Sequence, residues 1–160
     1  MKINFNRDLS EGKKAEVIVR DVLLAHGYYV EDVRDLKSYQ VRSIDYVAIH
    51  DQQIQSIEVK DDTKGYLTQN FIIEMEAANG RPGWFPKCQA TRLFIVSREE
   101  RLIFSICMKD LKAFMKENGE ALREVFIYDQ NEDGTSERFS CRLVSRNLLK
   151  QHCDIKEISY

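Results

Sequence analysis

The sequence predicts an α/β fold, a central mixed β-sheet flanked by helices, on three observations. Short apolar runs, several of them alternating with polar residues, recur between turns rich in Gly, Asn and Asp, which is the pattern of strands. Residues 15–26 and 110–118 instead space their apolar side chains three and four apart, the period of a helix with one buried face. Two prolines and seven glycines in 160 residues leave no room for a long linker. One domain over residues 1–160 is therefore expected, with its core at about 10–110 and strands with a short helix over 120–160.

In chain order, residues 15–26 form the first helix, packed on the sheet. Its stripe is Ala15, Ile18, Val19 and Val22, widened by Leu23 and Ala25. Ser10 is placed as its N-cap and Gly27 as its left-handed C-terminal residue. Residues 28–33 read as a strand, and 34–42 as a polar loop carrying Lys37 and Tyr39. A strand over 68–77 alternates Ile72 with Phe71 and Ile73, and sets Glu74 and Glu76 on the face of Ile72, where an acid can approach a site. Residues 79–83 are a turn, and 84–87, Trp-Phe-Pro-Lys, an exposed aromatic and basic cluster. Residues 92–96 and 102–107 form a hairpin. The helix over 110–118 turns Leu111, Phe114 and Met115 inward and ends at Gly119. Strands over 125–128 and 139–144 flank a turn at 131–136, and Ser145 caps a last helix through Leu148 and Leu149.

The stretch with the most chemistry is residues 43–62, SIDYVAIHDQQIQSIEVKDD. It reads as two strands joined by a polar turn at 50–53. Alternation puts Glu58 and Lys60 on one face, about 7 Å apart along the backbone, opposite Ile57 and Val59. Pairing of the two runs brings the isolated acid Asp45 to the same edge as Glu58. Two carboxylates and an ammonium then converge, the shape of a hard-cation site beside a positive charge. The tripeptide acid-any-lysine carries little by itself, since it occurs six times, as Glu11/Lys13, Asp35/Lys37, Glu58/Lys60, Asp62/Lys64, Asp110/Lys112 and Asp154/Lys156. Context separates Glu58-Val59-Lys60, which ends a strand-like run next to a second strand bearing a lone acid. A charged edge strand that resists sheet-to-sheet association is the bland alternative.

Asp45, a turn and Glu58-Val59-Lys60 resemble the core of the PD-(D/E)xK nuclease superfamily, with Ile44 where the name-giving proline would stand. Upstream, Gly12, Glu16 and the Gly27-Tyr28-Tyr29-Val30 exit resemble that superfamily's first helix and following strand. Downstream, residues 68–74, Gly83-Trp84 through Lys87, and the strand at 92–96 look like its Holliday-junction-resolvase-like and phage-type members. The likeness covers roughly residues 10–110 and implies a restriction-endonuclease-like fold that hydrolyses phosphodiester bonds. On that likeness Asp45, Glu58 and the Val59 carbonyl would hold Mg²⁺ or Mn²⁺, hard ions suited to carboxylate oxygens. Lys60 would orient or deprotonate the attacking water and stabilise the charged phosphorane. Glu16 would be an extra acid at the metal or its water, and Glu74, Trp84 and Lys87 would meet the substrate. DNA is the expected partner, with RNA left open, and a homodimer is the arrangement in which many such enzymes cut two strands.

Bulk properties bound these readings. Composition, 43% hydrophobic and 31% charged, is ordinary for a globular protein, and no apolar run approaches the ~20 residues that cross a bilayer. The N-terminal MKINFNRDLSEGKK lacks a signal peptide's apolar segment, so a cytoplasmic location is expected. A net charge of −2 supplies no overall positive field for nucleic acid, although an acidic metal centre offsets basic residues elsewhere. Cys88, Cys107, Cys141 and Cys153 form no CxxC pair and read as reduced, mostly buried thiols. His26, His50 and His152 are scattered, and no Ser/His/Asp or Cys/His set assembles by spacing. The alternative functions are a catalytically silent nucleic-acid-binding or protein-interaction module on the same fold, and a small-molecule enzyme, which lacks any phosphate-binding glycine loop.

Overall fold

The structure, a computed structural model, describes residues 2–130 and 135–160. Its elements run β1 (Lys2–Asn4), α1 (Phe5–Ala25), β2 (Tyr29–Asp32), α2 (Lys37–Gln40), β3 (Tyr46–His50), β4 (Gln53–Asp61), α3 (Gly65–Thr68) and β5 (Asn70–Glu76). They continue with α4 (Trp84–Lys87), β6 (Arg92–Ser97), β7 (Leu102–Cys107), α5 (Met108–Asn118), β8 (Glu124–Gln130), β9 (Ser136–Ser145), α6 (Arg146–His152) and β10 (Ile155–Ser159). The architecture is the expected mixed α/β one, with a second sheet in addition. A six-stranded sheet runs β10-β7-β6-β4-β3-β2, and a four-stranded sheet runs β1-β8-β9-β5. In the larger sheet β4 and β6 are parallel and the other neighbours antiparallel, which makes it mixed.

Two cores hold these layers. On one face of the larger sheet, α1 lays Ala15, Val19 and Leu23 against Tyr46, Ala48, Ile57, Val59, Phe94 and Val96. On the other, Leu93, Ile95, Phe104 and Ile106 meet Phe71 and Ile73 of β5, Val144 of β9, and Leu111, Phe114 and Met115 of α5. Phe71 and Phe104 meet edge to face at 5.1 Å, and side chains of this size each contribute on the order of 1.5–3 kcal/mol when fully buried. The chain thus reads as α1, the larger sheet, then the smaller sheet with α5 and α6.

Several boundaries move relative to the sequence reading. Helix α1 begins at Phe5, so Ser10 lies inside it and is not its N-cap, and Glu16 sits in its interior instead of its first turn. The C-terminal end is as expected: Gly27, at φ 80°, lets the Tyr28 N–H reach the Leu23 carbonyl and the Gly27 N–H reach that of Leu24, both at 3.0 Å. Ser145 caps α6 by accepting the Leu148 N–H. Strands β1 and β10 and the short helices α2, α3 and α4 had no sequence signal, being three to five residues long. Residues 131–134, within the turn expected at 131–136, lie outside the described residues. The four cysteines are free thiols, and Cys88, Cys141 and Cys153 are buried.

Candidate active site

The β3–β4 hairpin turns through Asp51 and Gln52, both with positive φ, 48° and 65°. That two-residue connection fixes the register His50↔Gln53 through Tyr46↔Ile57. Carried back one residue, the register sets Asp45 opposite Glu58. The Asp45 N–H donates to the Ile57 carbonyl at 2.8 Å. Its carboxylate turns across the pair and accepts the Val59 N–H at 2.7 Å. An acid just ahead of one strand is thereby tied to the middle of the second acid-and-lysine run.

Glu58 is 4% exposed, on the face of β4 opposite Ile57 and Val59. One of its carboxylate oxygens lies 2.5 Å from the Lys60 Nζ, and the Lys60 side chain remains 35% exposed. Burial alone would lower the Lys60 pKa. The Glu58 charge and hydrogen bond, with Asp45 and Glu74 beyond, outweigh it and hold the ammonium above its ordinary range. Burial, with the Glu58 charge next, pushes the Asp45 carboxyl up to about 7, against the opposing pull of the Val59 N–H and Lys60. The charge of Glu16 adds to that upward push, so α1 also brings its acid within electrostatic reach.

Glu16 is not a free carboxylate, however. It is half-buried and ion-paired with the Arg34 guanidinium, which also grips Asp32 through its Nε at 2.8 Å. The Tyr46 hydroxyl donates to the Glu16 backbone carbonyl at 3.1 Å and anchors this part of α1 to β3. Arg34 falls in the polar loop expected over 34–42; its partner is 18 residues upstream on another element, and no local pattern marks it.

From the smaller sheet, Glu74 accepts the Trp84 N–H at 3.0 Å. A register shift between Glu74 and Glu76 breaks the alternation that had put them on one face, and Glu76 instead bridges to Pro82. The Trp84 ring lies with its centroid 5.0 Å from the Lys60 Nζ. The cluster at residues 84–87 is not the exposed one expected: Phe85 is 5% exposed, Trp84 is half-buried, and Pro86 and Lys87 face solvent. The turn at 79–83 folds this segment back on β5, so Phe85 joins the core. Lys87 stands outside the contacts that join Asp45, Glu58, Lys60, Glu74 and Trp84.

A second polar knot, wholly unexpected from sequence, adjoins the end of β4. Arg146, 3% exposed, donates to both Glu100 carboxylate oxygens at 2.9 and 2.8 Å and to Asp62 at 3.1 Å. Its guanidinium lies 4.6 Å from the Phe104 ring centroid and 5.2 Å from that of Phe71. Asp62 also accepts the Gly65 N–H at 2.6 Å, and Asp61 takes Arg98 through both oxygens at 3.1 and 2.8 Å. Gly65 is required here, because a Cβ would fall 1.8 Å from an Asp62 oxygen.

Fold and site together define a mixed α/β protein that gathers two carboxylates and an ammonium beside a central strand pair. Among the described residues no group of three or more His, Cys, Asp or Glu side chains is arranged to hold a metal ion. No helix among them is long and apolar enough to cross a membrane. No protein-family model matches the chain, and no curated protein matches it. Among solved structures, that of the bacterial homing endonuclease I-Ssp6803I is similar, with a TM-score of 0.47 and 16% identity over 61% of this chain and 67% of that one.

Proposed function

We propose that the chain is a metal-dependent nuclease of the PD-(D/E)xK type that hydrolyses phosphodiester bonds of DNA. The observation that carries this reading is the convergence of Asp45, Glu58 and Lys60, with Asp45 held by the Val59 N–H at 2.7 Å and Lys60 against Glu58 at 2.5 Å. The donor set suits Mg²⁺ or Mn²⁺. Burial and the facing Glu58 charge raise the Asp45 carboxyl, which a hard cation would relieve, and Mg²⁺ is commonly held by one or two carboxylates with waters and substrate phosphate completing its shell. Asp45 and Glu58 would hold the ion, with the Val59 carbonyl as a third oxygen. When bound, such an ion supplies Lewis-acid polarisation of the phosphate and activation of water.

Lys60, kept charged by Glu58, is suited to donate to a phosphorane oxygen more than to take a proton from water. Glu16, neutralised by Arg34, would act at a distance by setting the field at Asp45. Trp84, its ring centroid 5.0 Å from the Lys60 Nζ, and Lys87, with its charge in solvent, would meet the substrate.

The test is cleavage of labelled single-stranded, duplex and four-way-junction DNA with Mg²⁺, Mn²⁺ or EDTA. Metal-dependent cutting that is lost in Asp45→Ala, Glu58→Ala and Lys60→Ala, each still folded, is the expected result. Full activity in any of the three would sink the assignment. A second reading, a catalytically silent nucleic-acid-binding module on the same fold, is favoured by one observation: among the described residues no group of three or more His, Cys, Asp or Glu side chains is arranged to hold a metal ion. Binding without cutting of any substrate would select it.

A further inference from the structure

The nuclease reading asks a flexible lysine to stand at one place beside Asp45 and Glu58. Glu58 alone fixes one direction of approach. A second fixture comes from the opposite sheet, and it is built in layers. The indole ring of Trp84 lies 5.0 Å from the Lys60 Nζ, within cation–π range. The Trp84 N–H is bonded to the Glu74 carboxylate at 3.0 Å. Gly83 permits this, since a Cβ there would lie 2.8 Å from the Glu74 carbonyl and 2.9 Å from the Glu74 Oε1. Phe85, buried in the core, meets the Trp84 ring edge-on at 5.8 Å and 90° and backs it. Glu74 is a carboxylate and would repel a phosphate, so its geometry fits an anchor better than a substrate contact.

We propose that Glu74 and Trp84 are positioning residues for Lys60: Glu74 pins the Gly83–Trp84 backbone, and the pinned indole sets where the ammonium sits relative to Glu58. The role rests on the nuclease reading of Lys60, whereas the contact itself does not. Glu74 of β5 and Trp84 of α4 thus complete a site whose Glu58 and Lys60 come from β4 of the larger sheet and whose Asp45 stands just ahead of β3.

Trp84 is the chain's single tryptophan, so its fluorescence reports on the contact in metal-free protein without substrate. Lys60→Met and Glu74→Ala should each shift the emission and raise acrylamide quenching about twofold, as the ring loses a partner or its anchor. Glu74→Gln, which keeps an acceptor oxygen for the Trp84 N–H, should leave quenching unchanged. Emission and quenching unmoved in both Lys60→Met and Glu74→Ala would overturn the proposal, whether or not the protein cuts DNA. In the cleavage assay, Trp84→Leu should lower kcat about three- to thirtyfold at constant KM, the range open to a cation–π contact between exposed and desolvated settings, and Trp84→Phe should recover most of it. A raised KM at unchanged kcat would make Trp84 a substrate contact and also overturn the proposal. Should the wild type cut nothing, the nuclease reading fails and fluorescence alone decides the contact.

Discussion

Replacing Asp45 by asparagine should make the metal-free protein more stable at pH 8 while removing its proposed activity. Burial and the Glu58 charge hold the Asp45 carboxyl at about 7, against an ordinary 3.8. A carboxyl raised in the folded state binds its proton more tightly there than in the unfolded chain. Its stabilising contribution is therefore full at low pH and is lost as pH climbs from about 4 to about 7. Three units at about 1.4 kcal/mol each set a ceiling near 4 kcal/mol, and partial exposure and charge shared with Glu58 reduce this to about 1–2 kcal/mol. Asparagine retains an oxygen for the Val59 N–H, so the 2.7 Å contact survives while the opposing charge goes. For a chain of this size the gain corresponds to about 2–8 °C in Tm. The assay is thermal and urea unfolding of both proteins in EDTA at pH 4 and pH 8. The asparagine variant should be ahead at pH 8 and close to wild type at pH 4, and millimolar Mg²⁺ should raise the Tm of wild type alone. A variant less stable than wild type at pH 8, or an advantage equal at both pH values, would refute the reasoning.

Two further substitutions test the frame around the site. Arg146→Met removes the buried guanidinium from the half-buried Glu100 and Asp62 and should cost about 2–3 kcal/mol in urea unfolding; a change under about 1 kcal/mol would show that the knot is dispensable. Gln52→Gly places the residue best suited to φ 65° in the β3–β4 turn and should stabilise by about 0.5 kcal/mol or more, read as a rise in Tm; a fall would mean the turn is held by something other than its backbone.

The hairpin, the inward residues of α5, the Ser145 cap and the Gly27 terminus were legible because each is encoded within a few residues. Alternation, a cap three residues from its partner and a left-handed glycine are local instructions. The start of α1 at Phe5 is not legible because residues 5–14, FNRDLSEGKK, carry charge at half their positions and show no continuous apolar stripe at helical spacing. The second sheet was missed as a sheet, although three of its strands were expected, since pairing β5 with β9 joins residues about 70 positions apart. Of the site, Asp45, Glu58 and Lys60 could be grouped from the hairpin. The counter-charges could not: Arg34 reaches Glu16 across 18 residues and Arg146 reaches Asp62 across 84.

The six acid-any-lysine tripeptides show why context outweighs the motif. On a strand, residues two apart share a face, and Glu58 and Lys60 meet at 2.5 Å on β4. On a helix the same spacing turns side chains about 200° apart, so Asp110 and Lys112 of α5 diverge. Asp110 instead accepts the Asp154 N–H at 2.9 Å, while Lys112 reaches the Cys88 carbonyl. Asp154 pairs with Arg92 at 2.6 Å, and Asp62 with Arg146. Asp62, Asp110 and Asp154 thus each meet a partner from a distant segment. Glu58 and Lys60 are different because the pleat presents both to the same buried face, where Asp45 already lies opposite. Glu58 is buried there while Lys60 keeps partial contact with solvent, and burial of Asp45 beside the Glu58 charge raises the Asp45 carboxyl. Moving the tripeptide by one position along β4 would turn both charges toward α1 and its apolar stripe, which the fold would not tolerate.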